Sequence, residues 1–237
     1  MQGVTKMSIL SIDTSNYVLG IALIDDSKVI GEYITNLKKN HSVRVMPAIQ
    51  QLLEECDYTP KNLKKIVVAK GPGSYTGVRI GVTIAKTLAW SLQIPLVGVS
   101  SLKVLAANGR HFPGFISPLF DARRGQLYTG LYKWDAGVLK EVIEDQNVKN
   151  EEWAKRLKEL DEPVLFLGND LPLHQDVLSE ILGENYYSGI ITEHNPRPAE
   201  LALLGKDLPG ENIHTFTPNY IRLAEAEAKW LGENNQG

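Results

Sequence analysis

Gly71-Pro72-Gly73-Ser74-Tyr75-Thr76-Gly77-Val78-Arg79-Ile80-Gly81 follows the apolar run Ile66-Val67-Val68-Ala69 and opens a long helical pattern. Strand, glycine-rich turn and helix start, in that order, put backbone N–H groups at a helix N-terminus, where an anion or a close partner backbone can be received. The glycines leave room for one backbone to approach another, because no Cβ stands in the way. The spacing is not Gly-x-Gly-x-x-Gly, and no Lys stands where a phosphate-cradling Lys would follow, so both common nucleotide fingerprints fail. A tight strand-to-helix turn is the plainer reading of the same residues.

With 237 residues, 43% of them hydrophobic, the chain can hold one large domain or two of roughly 100 residues each. No stretch has signal-peptide or membrane-spanning character, which makes the cytoplasm the expected location. Cys56 is the only cysteine and reads as a small buried hydrophobe. The net charge of −3 argues against a chain that grips nucleic acid alone, yet the halves differ. Residues 1–108 carry 12 Lys+Arg against 7 Asp+Glu, and residues 109–237 carry 13 against 21. The first half is thus the one expected to face something acidic, through Lys38, Lys39, Lys61, Lys64, Lys65 and Lys70.

The pattern predicts strands over 8–14, 17–25 and 28–35, then a helix from Ser42 to Cys56 that Pro47 should kink or restart. Strand 65–69, helix 76–92, strand 96–100 and a short helix over 101–107 complete the first half. The second half repeats the order: strands 115–121, 126–134 and 138–142, a helix over 151–160 capped by Asn150, strand 163–168, helix 172–182, a strand at 189–192 and helix 197–205. In each half the first strand ends in Asp followed by a turn, Asp13-Thr14-Ser15 and Asp121-Ala122-Arg123-Arg124-Gly125. Two such units facing each other would bring both acidic turns to one cleft.

That plan resembles the superfamily of sugar kinases, actin and heat-shock chaperones. Ile12-Asp13-Thr14-Ser15, His41-Ser42 with Pro47, the glycine stretch 71–81, Asp121 to Gly125 and Pro218-Asn219-Tyr220-Ile221-Arg222 narrow the resemblance, over nearly the whole chain, to the TsaB (YeaZ) family. It implies an α/β, actin-like ATPase (RNase H-like) fold with two topologically duplicated domains, each a mixed sheet flanked by helices. The expected division is an N-terminal lobe over 1–108 that carries the partner interface, a C-terminal lobe over 109–215, and a segment with a helix over 216–237 that returns to the first lobe. Residues 1–6 read as an upstream extension, with Met7 an alternative start. The implied role is a non-catalytic partner of a TsaD-like transferase, with a TsaE-like ATPase, in making threonylcarbamoyladenosine beside the anticodon of tRNAs that read codons starting with A. Pairing is expected as a heterodimer with the transferase, or as a homodimer in its absence. ATP and Mg²⁺ would enter only through the partners.

TsaD-like relatives hold a metal with a His-x-x-x-His pair. The five histidines here, His41, His111, His174, His194 and His214, are at least twenty residues apart and read as surface or capping groups, so no metal site is expected. For phosphoryl transfer, Asp13 and Asp121 could supply carboxylates, but Thr14 and Ser15 stand where a phosphate needs glycine, and the second half has no glycine-rich loop to seat adenine. Asp13, Thr14, Ser15, Asp121 and Arg124 are therefore expected to form a vestigial cleft. Ser74 lacks a nucleophile elbow and reads as a helix cap. Arg79, ill placed for the helix dipole, is expected to have a carboxylate or phosphate partner; Arg123 and Arg124 make either an ion pair across the cleft or an anion contact.

Gly77, Gly81, Ala85 and Ala89 recur every fourth residue, a face on which a second helix can come close. Internal packing against Met46, Ile49 and Leu53 competes with that reading. The family resemblance favours a subunit interface of Met46, Ile49, Leu53, Gly81, Ala85 and Ala89. The rival functions are a degenerate actin-fold kinase or glycoprotease-like hydrolase, and a self-sufficient homodimeric binding module.

Overall fold

The computed structural model describes residues 7–221; the extension expected at 1–6 and the helix expected beyond 221 lie outside them. Strands β1 (Ile9–Asp13), β2 (Val18–Ile24) and β3 (Val29–Asn36) form an antiparallel meander, and β4 (Lys65–Ala69) and β5 (Leu96–Val99) add in parallel, giving the order β3-β2-β1-β4-β5. The second sheet repeats this plan with β6 (Phe115–Asp121), β7 (Gln126–Asp135), β8 (Val138–Lys149), β9 (Val164–Leu167) and β10 (Tyr186–Ser188), in the order β10-β9-β6-β7-β8.

Strands β1, β2 and β4 are buried along their whole length because both faces of the first sheet are covered, which is why they read as unbroken apolar runs. Leu10, Ile12, Ile21 and Val68 face helices α1 (Val45–Glu55) and α2 (Tyr75–Leu92). Ile9, Val67 and Val97 face α6 (Pro198–Lys206), whose Leu201 and Ala202 pack between the sheets beside Val104 of α3 (Ser101–Ala106). The halves thus exchange helices: α3, from the first, also covers β6 and β7, and α6, from the second, covers β1, β2 and β4. Residues 211–219 return to the first sheet. The Glu211 N–H donates to Leu96 O at 2.8 Å, Phe216 is buried in the first core, and the Asn219 N–H donates to Lys70 O at 2.6 Å.

Several local expectations are corrected. Pro47 lies in the first turn of α1, where no intrahelical N–H is needed, so the helix is restarted rather than kinked. Ser42 belongs to a preceding 3₁₀ turn, His41–Val43, capped by the Asn40 side chain. Asn150 is the first residue of α4 (Asn150–Lys158) and not its cap, and α5 (Gln175–Leu182) begins after a 3₁₀ turn at Leu171–Leu173. Strand β8 continues to Lys149, and β10 occupies 186–188 while Ile190 and Ile191 are exposed beyond it. Lys65 is buried, and its ammonium donates to the carbonyls of Gly205 and Lys206, in the last turn of α6, and of Leu208 just beyond it.

Candidate functional site

The glycine loop receives its own chain. Ser74 caps α2, its Oγ accepting from the Gly77 N–H at 3.3 Å, as its place before the helix suggested. The Ser74 N–H donates to Ser15 O at 2.7 Å, and Thr14 Oγ1 donates to Gly77 O at 2.7 Å. A Cβ at Gly73 would overlap Ser15 O, and one at Gly77 would overlap Thr14 O. Gly71 lies at φ 104°, its N–H bonded to Ser101 Oγ at 3.1 Å. The close approach that these residues allow is thus taken by the Asp13-Thr14-Ser15 turn, and residues so arranged do not fit the phosphate cradle of a nucleotide.

Asp13 is buried, and its Oδ1 accepts from the Ser15 N–H at 2.8 Å and from Ser15 Oγ at 2.7 Å. Burial pushes its pKa up, against the Ser15 bonds and the charge of His41, which pull it down. His41 Nε2 stands 2.7 Å from Asn16 O; a carbonyl only accepts, so Nε2 carries the hydrogen. Asp13 Oδ2, Asn16 Nδ2, His41 Nδ1 and Arg44 Nη1 are buried without a protein partner around this turn. In the second lobe Asp121 Oδ1 meets His174 Nε2 at 3.1 Å and accepts from the Arg123 N–H at 3.1 Å, while the Asp121 N–H donates to Asp170 Oδ2 at 3.0 Å. Each acidic turn bonds within its own lobe, and among the described residues Asp13 and Asp121 share no hydrogen-bond partner. His41 and His174 are buried and not surface groups, and although His174 stands at the N-cap position of α5 its side chain makes no capping bond, so the expectation of surface or capping groups is corrected for it. Among the described residues no three or more His, Cys, Asp or Glu gather in a metal-binding group.

The raised pKa of Asp13 has a sign. Its contribution to stability is fully present below the usual value of 3.8 and is lost as pH rises through the higher folded value. Asp13→Asn removes this loss, so the stability of wild type relative to the variant, from urea melts, should fall as pH rises above about 3.8. A difference that stayed flat or moved in favour of wild type would contradict a desolvated carboxyl.

On the helices, structure reverses the expected interface. Gly81, Ala85 and Ala89 face the first sheet, where small side chains let α2 lie close to Ile66 and Val68, and Ile49 and Leu53 fill the same core. Of the six residues expected at the interface, only Met46 is exposed, at 45%. The apolar side chains that reach solvent are Val43, Met46 and Trp90, with half-buried Ile80, Ile84 and Leu88 along α2. Among the described residues Arg79 finds no carboxylate; its Nη1 donates to the Tyr75 hydroxyl at 2.6 Å, one turn back. That i, i+4 spacing was a usable signal in the sequence.

Duplicated mixed sheets in identical order, joined through exchanged helices, define a protein of the actin-like ATPase fold. The family model of TsaD, tRNA N6-adenosine threonylcarbamoyltransferase, matches residues 28–230. The tRNA threonylcarbamoyladenosine biosynthesis protein TsaB of Bacillus subtilis is 63% identical over 225 residues, 95% of this chain and 98% of that protein. The chain belongs to the TsaD family and, within it, stands with the TsaB proteins. YeaZ from Pseudomonas aeruginosa has the same fold, with a TM-score of 0.72 at 21% identity over 90% of this chain and 99% of that one. The ROK hexokinase of Thermus thermophilus superposes at 0.50 with 11% identity, over 85% of this chain and 98% of its own.

Proposed function

We propose that this chain is the non-catalytic, activating subunit of a complex that transfers a threonylcarbamoyl group to the adenosine beside the anticodon of tRNAs reading codons that start with A. A TsaD-like transferase performs the transfer and a TsaE-like ATPase completes the complex; the chain binds no nucleotide or metal of its own. The observation that carries this reading is the exposure of Met46 on α1 and Trp90 on α2, with Ile80, Ile84 and Leu88 only partly covered, in a chain related over nearly its full length to a TsaB protein. Large apolar side chains left open to solvent mark an association surface. The transferase partner has the same fold, so it can offer an equivalent pair of helices, and in its absence a second copy of this chain can take its place. The cytoplasm, where tRNA is modified, is the location this implies. No described helix is long and apolar enough to cross a membrane.

Reconstitution tests the proposal. The isolated chain should show no appreciable ATPase, kinase or protease activity with or without Mg²⁺, and addition to the transferase and ATPase should switch on transfer to tRNA. Met46→Glu combined with Trp90→Glu should leave circular dichroism unchanged and weaken association at least 100-fold, since a buried unpaired charge costs several kcal/mol. Nucleotide turnover by the isolated chain that vanished in a folded Asp13→Asn variant would replace this reading with the degenerate kinase.

A further inference from the structure

We propose that the rim formed by Tyr17, Lys38, Lys39, Tyr75, Arg79 and Tyr220 binds single-stranded RNA; resting on the function just proposed, that RNA is the anticodon loop of the tRNA substrate. The three tyrosines are 53%, 44% and 40% exposed. Lys38 Nζ stands 5.8 Å from the centroid of the Tyr17 ring, and the Arg79 guanidinium stands 5.1 Å from that of Tyr75. Tyr75 in turn packs on Tyr220, centroids 5.1 Å apart and planes 31° apart. The backbone brings the two clusters to neighbouring positions: the Ser74 N–H bonds Ser15 O, two residues before Tyr17, and His41, just past the lysines, bonds Asn16 O.

The charge pattern around the rim is one-sided. No Asp or Glu occurs from Tyr58 to Phe120 or from Tyr33 to Leu53, stretches that together hold Lys38, Lys39, Arg44, Lys70, Arg79 and Lys86 among their cations. Among the described residues no carboxylate lies in ion-pair range of Lys38, Lys39 or Arg79, whereas Arg110, Lys133, Lys155 and Arg197 each have one. Exposed rings beside unpaired cations give unstacked bases a flat apolar face and their phosphates a counter-charge, the chemistry of single-strand recognition. A duplex keeps its bases stacked and offers such rings nothing to stack on. The rim therefore selects a loop over a stem.

The test compares wild type, Tyr17→Ala with Tyr75→Ala, Tyr17→Phe with Tyr75→Phe, and Lys38→Gln with Lys39→Gln, in the isolated chain and in the complex with the transferase. Fluorescence anisotropy is read with an anticodon stem-loop RNA, an RNA duplex of equal length and an Asp/Glu-rich peptide. The isolated chain, acidic overall, should bind the stem-loop weakly and with strong salt dependence. Loss of both rings should weaken stem-loop binding by at least tenfold and leave duplex binding unchanged, and the phenylalanine pair should restore it. Loss of the two lysines should flatten the slope of log K against log salt by about 0.7 for each contact removed. Equal stem-loop affinity in wild type and the alanine pair overturns the proposal, as does tighter binding of the acidic peptide, which would make the rim a protein contact. Failure of the wild-type chain to support transfer sinks the function proposed above; the rim is judged separately, on stem-loop affinity.

Discussion

Ala85→Glu should leave no stable folded monomer. The Ala85 side chain is fully buried between α2 and the first sheet, against the core that contains Ile66, Val68 and Leu96. A carboxylate there has no cation and no water, and burying one unpaired costs several kcal/mol, a large part of the roughly 5–15 kcal/mol that holds a domain folded. Circular dichroism and size-exclusion chromatography should show loss of helix signal and aggregation with or without a partner. The contrast with Met46→Glu, on the open side of the same helix pair, carries the argument, because that variant should fold and fail only in association. An Ala85→Glu chain that folded normally and lost only its partner would return the small-residue stripe to the interface.

The stripe shows where sequence reading stops. In α2 the apolar residues surround the helix, so the four-residue recurrence of Gly77, Gly81, Ala85 and Ala89 marks a face of close approach without saying what approaches. The sheet takes that face, and Ile80 and Ile84, beside it, are only half-buried. The two-lobed plan was legible for the opposite reason: strands covered on both sides are continuous apolar runs, and Asp followed by a turn marks the end of β1 and of β6 alike. In strand β8, Glu141, Glu144 and Asp145 break the apolar alternation; at the sheet edge Glu141 and Glu144 are exposed, and Asp145 is satisfied by the Ser100 and Tyr132 hydroxyls, which lie far from it in sequence. The pairing of Asp121 with His174 spans 53 residues and leaves no local trace. Lys65 looked like surface charge at the start of a strand, since nothing nearby in sequence announces the carbonyls of α6 that it caps.

Gly77→Ala should destabilise the protein although the residue is helical. Ala in place of Gly inside a helix ordinarily gains about 1 kcal/mol. Here the added Cβ would overlap the Thr14 carbonyl oxygen, a backbone atom that cannot rotate away as a side chain does. Relief requires moving either the first turn of α2 or the Asp13 turn, and either shift strains the Ser74 to Ser15 and Thr14 to Gly77 hydrogen bonds. Overpacking of this kind costs about 1–3 kcal/mol and more where backbone must move, so the clash outweighs the helix gain and a net loss of about 2 kcal/mol is expected. Urea melts of the isolated chain measure it. The experiment also separates two meanings of a glycine loop. Were the loop a phosphate cradle, Gly77→Ala would leave the ligand-free chain as stable as wild type and act on nucleotide affinity. A loop closed over its own Asp13-Thr14-Ser15 turn loses stability with no nucleotide present, and a neutral or stabilising Gly77→Ala would show that the turn does not occupy it.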